Sequence, residues 1–193
     1  MSASVVKLLE QIAGLRQELA IELHKPAEEG HFRIIGSRVE FTPEKHAEHR
    51  QAKLSAWAWL RQVRLRGALA LPFIYGMFCS LLILDITISL YQAISFPLYG
   101  IAKVRRRDYL VFDRSHLAYL NLFEKFNCFY CSYANGLFAY CSEITARTEQ
   151  YFCPIKHAQH VIGAHSRYPH FLDFGDATDY QARAEKLRRE LAD

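Results

Sequence analysis

One long apolar block near the middle of the chain dominates its pattern of hydrophobic and polar positions. From Gly67 to Ala102 the only charged residue is Asp85. A membrane-spanning helix needs about 20 apolar residues, and few small soluble domains have a core able to cover a longer block. The pattern therefore predicts a membrane-inserted segment over residues 67–102.

Both flanks of this block are basic, which bears on its topology. Lys and Arg collect on the cytoplasmic side of membrane segments, so a single span would leave one basic flank on the other side. Asp85 divides the block into two limbs, each about 27 Å long as a helix, against a hydrocarbon thickness of about 30 Å. We expect a helical hairpin with Asp85 near its tip, while a re-entrant hairpin and one tilted helix between Pro72 and Pro97 stay open. The flanking cations are Arg50, Lys53, Arg61, Arg64 and Arg66 upstream, and Lys103, Arg105, Arg106 and Arg107 downstream.

The regions on either side of the block are predicted to be mainly helical. Residues 1–66 indicate an amphipathic helix, a β-hairpin and a basic helix, and residues 103–193 a cytoplasmic helical region. We therefore expect a mainly α, membrane-associated helical protein with an apolar helical hairpin and a small β-hairpin near the N-terminus. Residues 1–25 carry charges throughout and hold no apolar segment of a signal peptide, so the block is expected to insert from the cytoplasmic side.

Within the N-terminal region, residues 3–24 carry the clearest helical repeat. Apolar residues recur there at alternating spacings of three and four, which is typical of the seam of a short coiled coil. Such a face either docks on the protein's own body or mediates self-association, and Pro26 is expected to end the helix. The repeating residues are Val5, Leu8, Ile12, Leu15 and Leu19.

Turn and cap signals place the elements that follow. A turn signal at Gly36, between HFRII and RVEF, predicts a β-hairpin over residues 31–41. Thr42 as N-cap and Pro43 at the first helical position predict a helix that runs to about Arg66. Beyond the block, helices are expected over residues 108–127, from about 128 to 152, over 153–161 and over 178–191, with a loop at 163–176.

Aromatic and small residues near these elements allow two interpretations each. Trp57 and Trp59 lie just before the apolar block and suit either a membrane interface or ordinary packing. Asn135 and Gly136 form a turn signal, while Gly136 also suits a close contact on a helix.

Length and composition set the class of protein. With 193 residues, 51% of them hydrophobic and 13% aromatic, the chain is neither disordered nor fibrous. A net charge of +4 is too small to indicate nucleic-acid binding. Five cysteines in a chain of this length do not indicate a disulfide scaffold.

Cysteine and histidine spacing in the C-terminal region indicates a metal site. Cys128, Cys131, Cys153 and His157 follow the pattern Cys-x2-Cys-x21-Cys-x3-His, which suits a tetrahedral zinc ion. Cys141 offers another thiolate, so an iron–sulfur cluster is an alternative cofactor. The competing interpretation is that Cys141 and Cys153 are small core residues.

The Cys-x2-Cys pair also suits thiol chemistry. Cys128 is expected at or just before the N-terminus of a helix, where free backbone N–H groups stabilise a thiolate. Cys131 would then resolve a mixed disulfide.

Carboxylates offer a third chemistry. If residues 108–131 form one helix, an Asp, a His and a Glu share one of its faces. A carboxylate-bridged metal centre needs a second Glu-x-x-His pair that the chain lacks, so a solvated face is the alternative. The further candidate ligands are Asp113, His116, Glu124 and His160, with Glu143, Arg147 and Glu149 on the next segment expected to face them.

Three segments carry a resemblance: PLYGIAKVRRRDY, NCFYCSYANG and ITARTEQYFCPIKHA, which lie between about Tyr91 and Gly163. This stretch resembles an uncharacterised group of bacterial membrane-associated proteins of about this length. The resemblance implies a bacterial origin and supports membrane association. Together with the basic flanks, this predicts a bacterial inner-membrane protein with most of its chain on the cytoplasmic side. It implies no activity, substrate or cofactor.

Three functions follow from the sequence. The first is a membrane-anchored protein whose cytoplasm-facing Cys/His site holds zinc in a structural role or an iron–sulfur cluster in electron transfer. The second is a membrane-associated thiol-disulfide oxidoreductase that uses Cys128 and Cys131. The third is a non-enzymatic accessory or scaffold subunit of a membrane complex. Sequence motifs for dinucleotide, P-loop, serine-hydrolase and zinc-protease sites are absent.

Overall fold

The computed structural model describes residues 3–28, 32–36, 38–62 and 65–192. These residues form a mainly helical protein with one small antiparallel hairpin, which confirms the predicted mixture of elements. The elements are α1 (Ala3–Glu28), β1 (Phe32–Ile35), β2 (Arg38–Phe41), α2 (Pro43–Ala52), α3 (Ala56–Gln62), α4 (Leu65–Tyr99), α5 (Leu122–Phe152) and α6 (Tyr180–Arg189).

The predicted β-hairpin is confirmed. β1 and β2 pair antiparallel, with Phe32 opposite Phe41 and Ile35 opposite Arg38. Gly36 in the turn has a φ of 62°, a left-handed conformation that glycine adopts without steric cost. The helix before the hairpin, α1, continues to Glu28 rather than ending at Pro26.

The predicted basic helix from Pro43 to about Arg66 is wrong in its length, because the chain forms two helices there. The side chain of Thr42 accepts a hydrogen bond from Lys45 N at 3.4 Å and caps α2, as predicted. Ser55 Oγ accepts from Ala58 N at 3.1 Å, which starts α3 separately. A second capping serine therefore interrupts the helical pattern.

The apolar block forms one helix, α4, so the predicted hairpin is wrong. Asp85 lies within this continuous helix rather than at a tip. The residues around it, LILDITIS, include no Gly, Pro or Asn that would form a tight turn. Among the described residues, α4 is the one helix long and apolar enough to cross a membrane by length and composition.

Two compact units share α4 and α5 between them. The N-terminal unit runs up to Gly76 and includes Val111–Tyr133, while the C-terminal unit contains Met77–Leu110 and the chain from Ala134 onward. Each unit thus contains its own part of both long helices.

In the C-terminal unit, α4 and α5 run parallel. Tyr91 and Thr148 hydroxyls lie 3.0 Å apart, and further along the rings of Tyr99 and Phe152 have centroids 5.2 Å apart. The return segment after α4 packs closely on α5, since a Cβ at Gly136 would lie 2.6 Å from Tyr109 O. Gly136 is therefore a close helix contact and not a turn.

The segment between α4 and α5 differs from the prediction. Residues 108–127 were expected to be helical, but the chain makes 3₁₀ turns at Arg106–Asp108 and Asp113–His116 before α5 begins at Leu122. Asn121 and Glu124 set this start, because Asn121 Oδ1 accepts from Glu124 N at 3.1 Å and Glu124 Oε2 accepts from Asn121 N at 2.9 Å.

The chain after α5 also departs from expectation at one point. α5 ends at Phe152 and α6 forms near the C-terminus, as predicted. Residues 153–161 form no helix, and Ile155 instead makes an isolated bridge with Leu172. α6 packs on this bridge through Ala184 and Leu187.

Candidate functional site

The structure does not assemble the predicted metal ligands. Cys128 and Cys131 lie within α5, and Cys153 follows its last residue. The helical residues between Cys131 and Cys153 extend about 32 Å, so these thiols cannot share one ion. Across the described ranges, no three His, Cys, Asp or Glu side chains are placed to hold a metal. The predicted zinc or iron–sulfur function is therefore wrong.

The remaining proposed ligands have other roles or none. His157 N donates to the Tyr168 hydroxyl at 2.7 Å, and the His157 ring stacks on the Tyr168 ring. His160 is exposed in the coil after α5. Cys141 is half-buried, and burial first, then the negative charge of Asp85, raises the pKa of its thiol. A thiol held in the protonated form is a weak metal ligand and a weak nucleophile.

The predicted position of Cys128, at or just before the N-terminus of a helix, is also wrong. Cys128 is the seventh residue of α5, beyond the first turn whose free N–H groups would stabilise a thiolate. The space beside it is about 20 Å³, room for about one water molecule. The cysteines of the chain form no disulfide.

The predicted carboxylate face does not exist, because its members lie on different elements. Asp113 and His116 belong to a 3₁₀ turn, where His116 Nδ1 lies 3.0 Å from the Asp113 carbonyl oxygen. Glu124 caps the N-terminus of α5, where its side chain accepts a hydrogen bond from Asn121 N. These residues therefore offer no shared site.

Glu143, which was expected to face a metal, instead holds two arginines. Glu143 Oε1 accepts from Arg147 Nε and from Arg167 Nη2, each at 2.8 Å. Burial raises the pKa of Glu143, but the two arginine hydrogen bonds outweigh burial and hold that pKa below its ordinary value. Arg167 also donates to Gln150 Oε1 at 2.9 Å, and Gln150 donates to the Leu187 carbonyl at 2.7 Å. This cluster joins α5 to the chain around α6 and is structural.

The second half of α4 presents an exposed face on which five large aliphatic side chains are prominent, with Thr87, Ala93 and Pro97 also exposed there. These residues, which we call the apolar stripe, recur at helical spacings and lie on one face of the helix. Their exposed fractions run from 56% to 76%. The opposite face carries buried residues such as Gln92 at 6% and Phe96 at 0% exposure. The apolar stripe consists of Ile83, Ile86, Leu90, Ile94 and Leu98.

An ion pair fixes residues 103–107, which we call the basic segment, against the side of α4 that faces away from the apolar stripe. Arg106 Nη2 lies 2.5 Å from Asp85 Oδ2, and Arg106 Nε lies 3.3 Å from Asp85 Oδ1. Asp85 precedes Tyr99 by fourteen residues, about 21 Å of helix. The chain after α4 therefore folds back along the helix. Lys103, Arg105 and Arg107 are exposed on this segment.

A large apolar pocket lies in the N-terminal unit. Its volume is about 500 Å³, and α3, α4 and α5 each provide walls. Trp59 stacks on Phe123 with centroids 5.3 Å apart, and Tyr75 packs on Phe126 at 5.4 Å. The lining residues are Trp59, Leu60, Leu71, Tyr75, Leu122, Phe123 and Phe126.

Sequence reasoning missed this pocket, although it singled out one wall. Trp59 lies beside the apolar block in the sequence, but no spacing in the sequence predicts that Phe123 and Phe126 pack near it. Those residues were placed on a helix that ended at about residue 127, whereas they lie in the first turns of α5. The pocket depends on tertiary packing that no local pattern specifies.

The chain matches none of the family models, curated proteins or solved structures with which it was compared. The candidate sites are therefore defined by their own side chains: the apolar stripe with its opposing basic segment in the C-terminal unit, and the apolar pocket in the N-terminal unit.

Proposed function

We propose that this protein is a membrane-associated lipid-binding protein in which α4 lies in the plane of a bilayer and enters it by the apolar stripe. One observation carries the proposal: only 6% of the most apolar window of α4 is buried, at a mean hydropathy of 2.1. The core helix of a soluble protein would be mostly buried. An exposed apolar surface of this extent favours contact with acyl chains.

The arrangement around Asp85 favours an in-plane helix over a spanning one. If the second half of α4 crossed the bilayer, the Asp85–Arg106 pair and Arg105 and Arg107 would lie at membrane depth beside it. Each charged side chain at the bilayer centre costs about 2.5–3.5 kcal/mol. With α4 in the plane, the apolar stripe enters the acyl region by about 5–10 Å, and the basic segment stays on the water side.

The basic residues support a membrane surface that carries negative charge. Lys103, Arg105 and Arg107 are exposed on the segment that follows α4. Anionic lipids attract such residues by about 1 kcal/mol each at the surface. The attraction is weaker across the width of α4, about 10 Å, that separates the basic segment from the acyl region, because salt screens it. Cytoplasmic leaflets are rich in anionic lipid, and the resemblance found in the sequence predicts a bacterial origin. We therefore propose the cytoplasmic face of a bacterial inner membrane as the location of the protein.

Flotation with lipid vesicles tests the proposal. The purified chain is mixed with vesicles of phosphatidylglycerol and phosphatidylcholine and centrifuged through a density gradient. Wild-type protein is expected to float. Ile86→Asp combined with Ile94→Asp should shift most of it to the unbound fraction, because two carboxylates then face the acyl chains.

Ser142→Asp combined with Thr145→Asp is the matched control, since it adds the same charge at residues that are exposed on α5 in the same unit. This variant should float like the wild type. Equal flotation of the stripe variant and the control, with both variants folded by circular dichroism, would contradict the proposal.

A further inference from the structure

We infer that the apolar pocket of the N-terminal unit binds the acyl chain of one membrane lipid. The inference rests on the proposed function, because it takes the pocket's occupant from the bilayer that α4 contacts. The volume of about 500 Å³ falls within the range of about 300–1,000 Å³ found for small-molecule sites. The pocket is thus large enough for a ligand and not only for solvent.

The chemistry of the walls selects an apolar occupant. Among the seven lining side chains, the only polar atoms are the Trp59 indole nitrogen and the Tyr75 hydroxyl. The Tyr75 hydroxyl donates to Asn127 Oδ1 and is therefore already satisfied. The lining provides no charged group for a polar ligand. A flexible hydrocarbon chain matches such a surface, because it brings no polar group of its own that would lose hydrogen bonds with water on entering the pocket.

The pocket's side chains are incompletely covered by the protein itself. Leu122 is 76% exposed, Phe126 53% and Phe123 41%. Burying this surface under an acyl chain would remove apolar area from water, which stabilises the complex. Aromatic pairs such as Trp59 with Phe123 form rigid flat walls that suit a methylene chain.

The position of the pocket on α4 connects it to the source of the ligand. Leu71 and Tyr75 line the pocket and belong to α4, and in the same unit Leu69 and Phe73 of this helix are 65% and 83% exposed. A lipid in contact with α4 can therefore place one chain between α3 and the first turns of α5. The occupant is an acyl chain drawn from the bilayer rather than a soluble metabolite.

The two tryptophans of the chain provide a matched pair of reporters. Trp59 lines the pocket, whereas Trp57, two residues earlier on α3, is 63% exposed and lies under the Arg61 guanidinium at 5.4 Å. Trp57→Phe leaves Trp59 as the reporter, and Trp59→Phe leaves Trp57. Both variants are held in lipid nanodiscs and titrated with dibromostearic acid, whose bromine atoms quench indole fluorescence at contact.

The Trp59 reporter is expected to lose most of its fluorescence along a saturable curve, while the Trp57 reporter changes little. Leu71→Phe in the Trp57→Phe background narrows the pocket and should weaken the apparent affinity by about tenfold. Dibromopropionic acid, which has the same head group and no long chain, should quench neither reporter.

Three results would overturn the inference: no quenching of Trp59, equal quenching of both reporters, or unchanged affinity after Leu71→Phe. Equal quenching would indicate general partition of the probe into the bilayer. The proposed function is tested separately, because Leu71→Phe should float with vesicles like the wild type. If the protein floats but Trp59 is not quenched, the acyl-chain site is contradicted while the proposed membrane association is still supported.

Discussion

Replacing Glu143 with glutamine tests how strongly one carboxylate stabilises the C-terminal unit. The side chain of Glu143 is 13% exposed, and those of Arg147 and Arg167 are 19% and 26% exposed. Glu143→Gln keeps the shape of the side chain but removes its charge. Two half-buried guanidinium groups then lose their shared carboxylate.

The expected cost follows from the burial of the cluster. Removing one partner of a buried ion pair costs about 3–5 kcal/mol. Arg147 keeps a hydrogen bond to the Ala102 carbonyl, and Arg167 keeps one to Gln150 Oε1. Since both arginines also retain partial contact with water, we expect a loss of about 2–3 kcal/mol in the free energy of unfolding.

Urea unfolding followed by circular dichroism, with the protein in mild detergent, measures this loss. Glu185→Gln is the control, because Glu185 and Arg189 form a pair that is 48% and 80% exposed. Exposed pairs contribute about 0–1 kcal/mol, so the control should unfold close to the wild type. Equal destabilisation of the two variants would refute the reasoning.

The same cluster predicts a dependence on pH. The arginine hydrogen bonds hold the pKa of folded Glu143 below its ordinary value, so the folded state binds this proton less readily than the unfolded state. The stabilisation is therefore fully present above the unfolded pKa of about 4.3 and is lost as the pH falls through the lower folded pKa. The stability difference between wild type and Glu143→Gln should shrink in this acid range. A difference that stays constant from neutral pH to the acid limb would contradict the assignment.

Two further substitutions test internal contacts, and a third tests self-association. Gly136→Ala places a Cβ 2.6 Å from Tyr109 O, and we expect a net loss of about 1–2 kcal/mol in urea unfolding, because overpacking exceeds the helix propensity gained; a stabilised variant would contradict this contact. Gln92→Leu removes the side chain that accepts from Val104 N at 2.7 Å and should cost about 1–3 kcal/mol; an unchanged midpoint would refute the role of this hydrogen bond. The exposed seam of α1 predicts self-association. Leu15→Asp should therefore lower the molecular mass that analytical ultracentrifugation gives for the protein in detergent. A wild-type protein that sediments as a monomer would contradict this prediction.

Local signals in the sequence located several elements well. Thr42 and Pro43 marked the start of α2, and Gly36 marked the turn of the hairpin. These features depend on the conformational preferences of single residues and on short-range hydrogen bonds. They hold whatever the rest of the chain does, which is why the sequence could specify them.

The failures arose where a longer-range contact decided the outcome. Asp85 was expected at a hairpin tip because a lone carboxylate is costly in an apolar helix. It is instead paired with Arg106, a residue on a segment whose path only the tertiary structure shows. The spacing of Cys128, Cys131 and Cys153 suggested a shared ion, but a continuous α5 keeps the first two apart from the third.

The missed start of α5 had the widest consequences. A capping pair of Asn121 and Glu124 was present in the sequence and fits a known signature. The apolar periodicity upstream suggested that the helix had already begun. Because of this, Asp113 and His116 were placed on the wrong element, and the aromatic walls of the pocket were not foreseen.

The in-plane position of α4 is tested most directly by the depth of spin labels along it. Nitroxide labels are placed one at a time at positions 83, 90 and 98 of a variant whose cysteines are serine, bound to vesicles. The contact of each label with oxygen and with a water-soluble nickel complex gives its depth. An in-plane helix predicts that all three labels lie at the same shallow depth in the acyl region. A depth that changes steadily along the helix, by about 1.5 Å per residue, would show that α4 crosses the bilayer and would contradict the proposed arrangement.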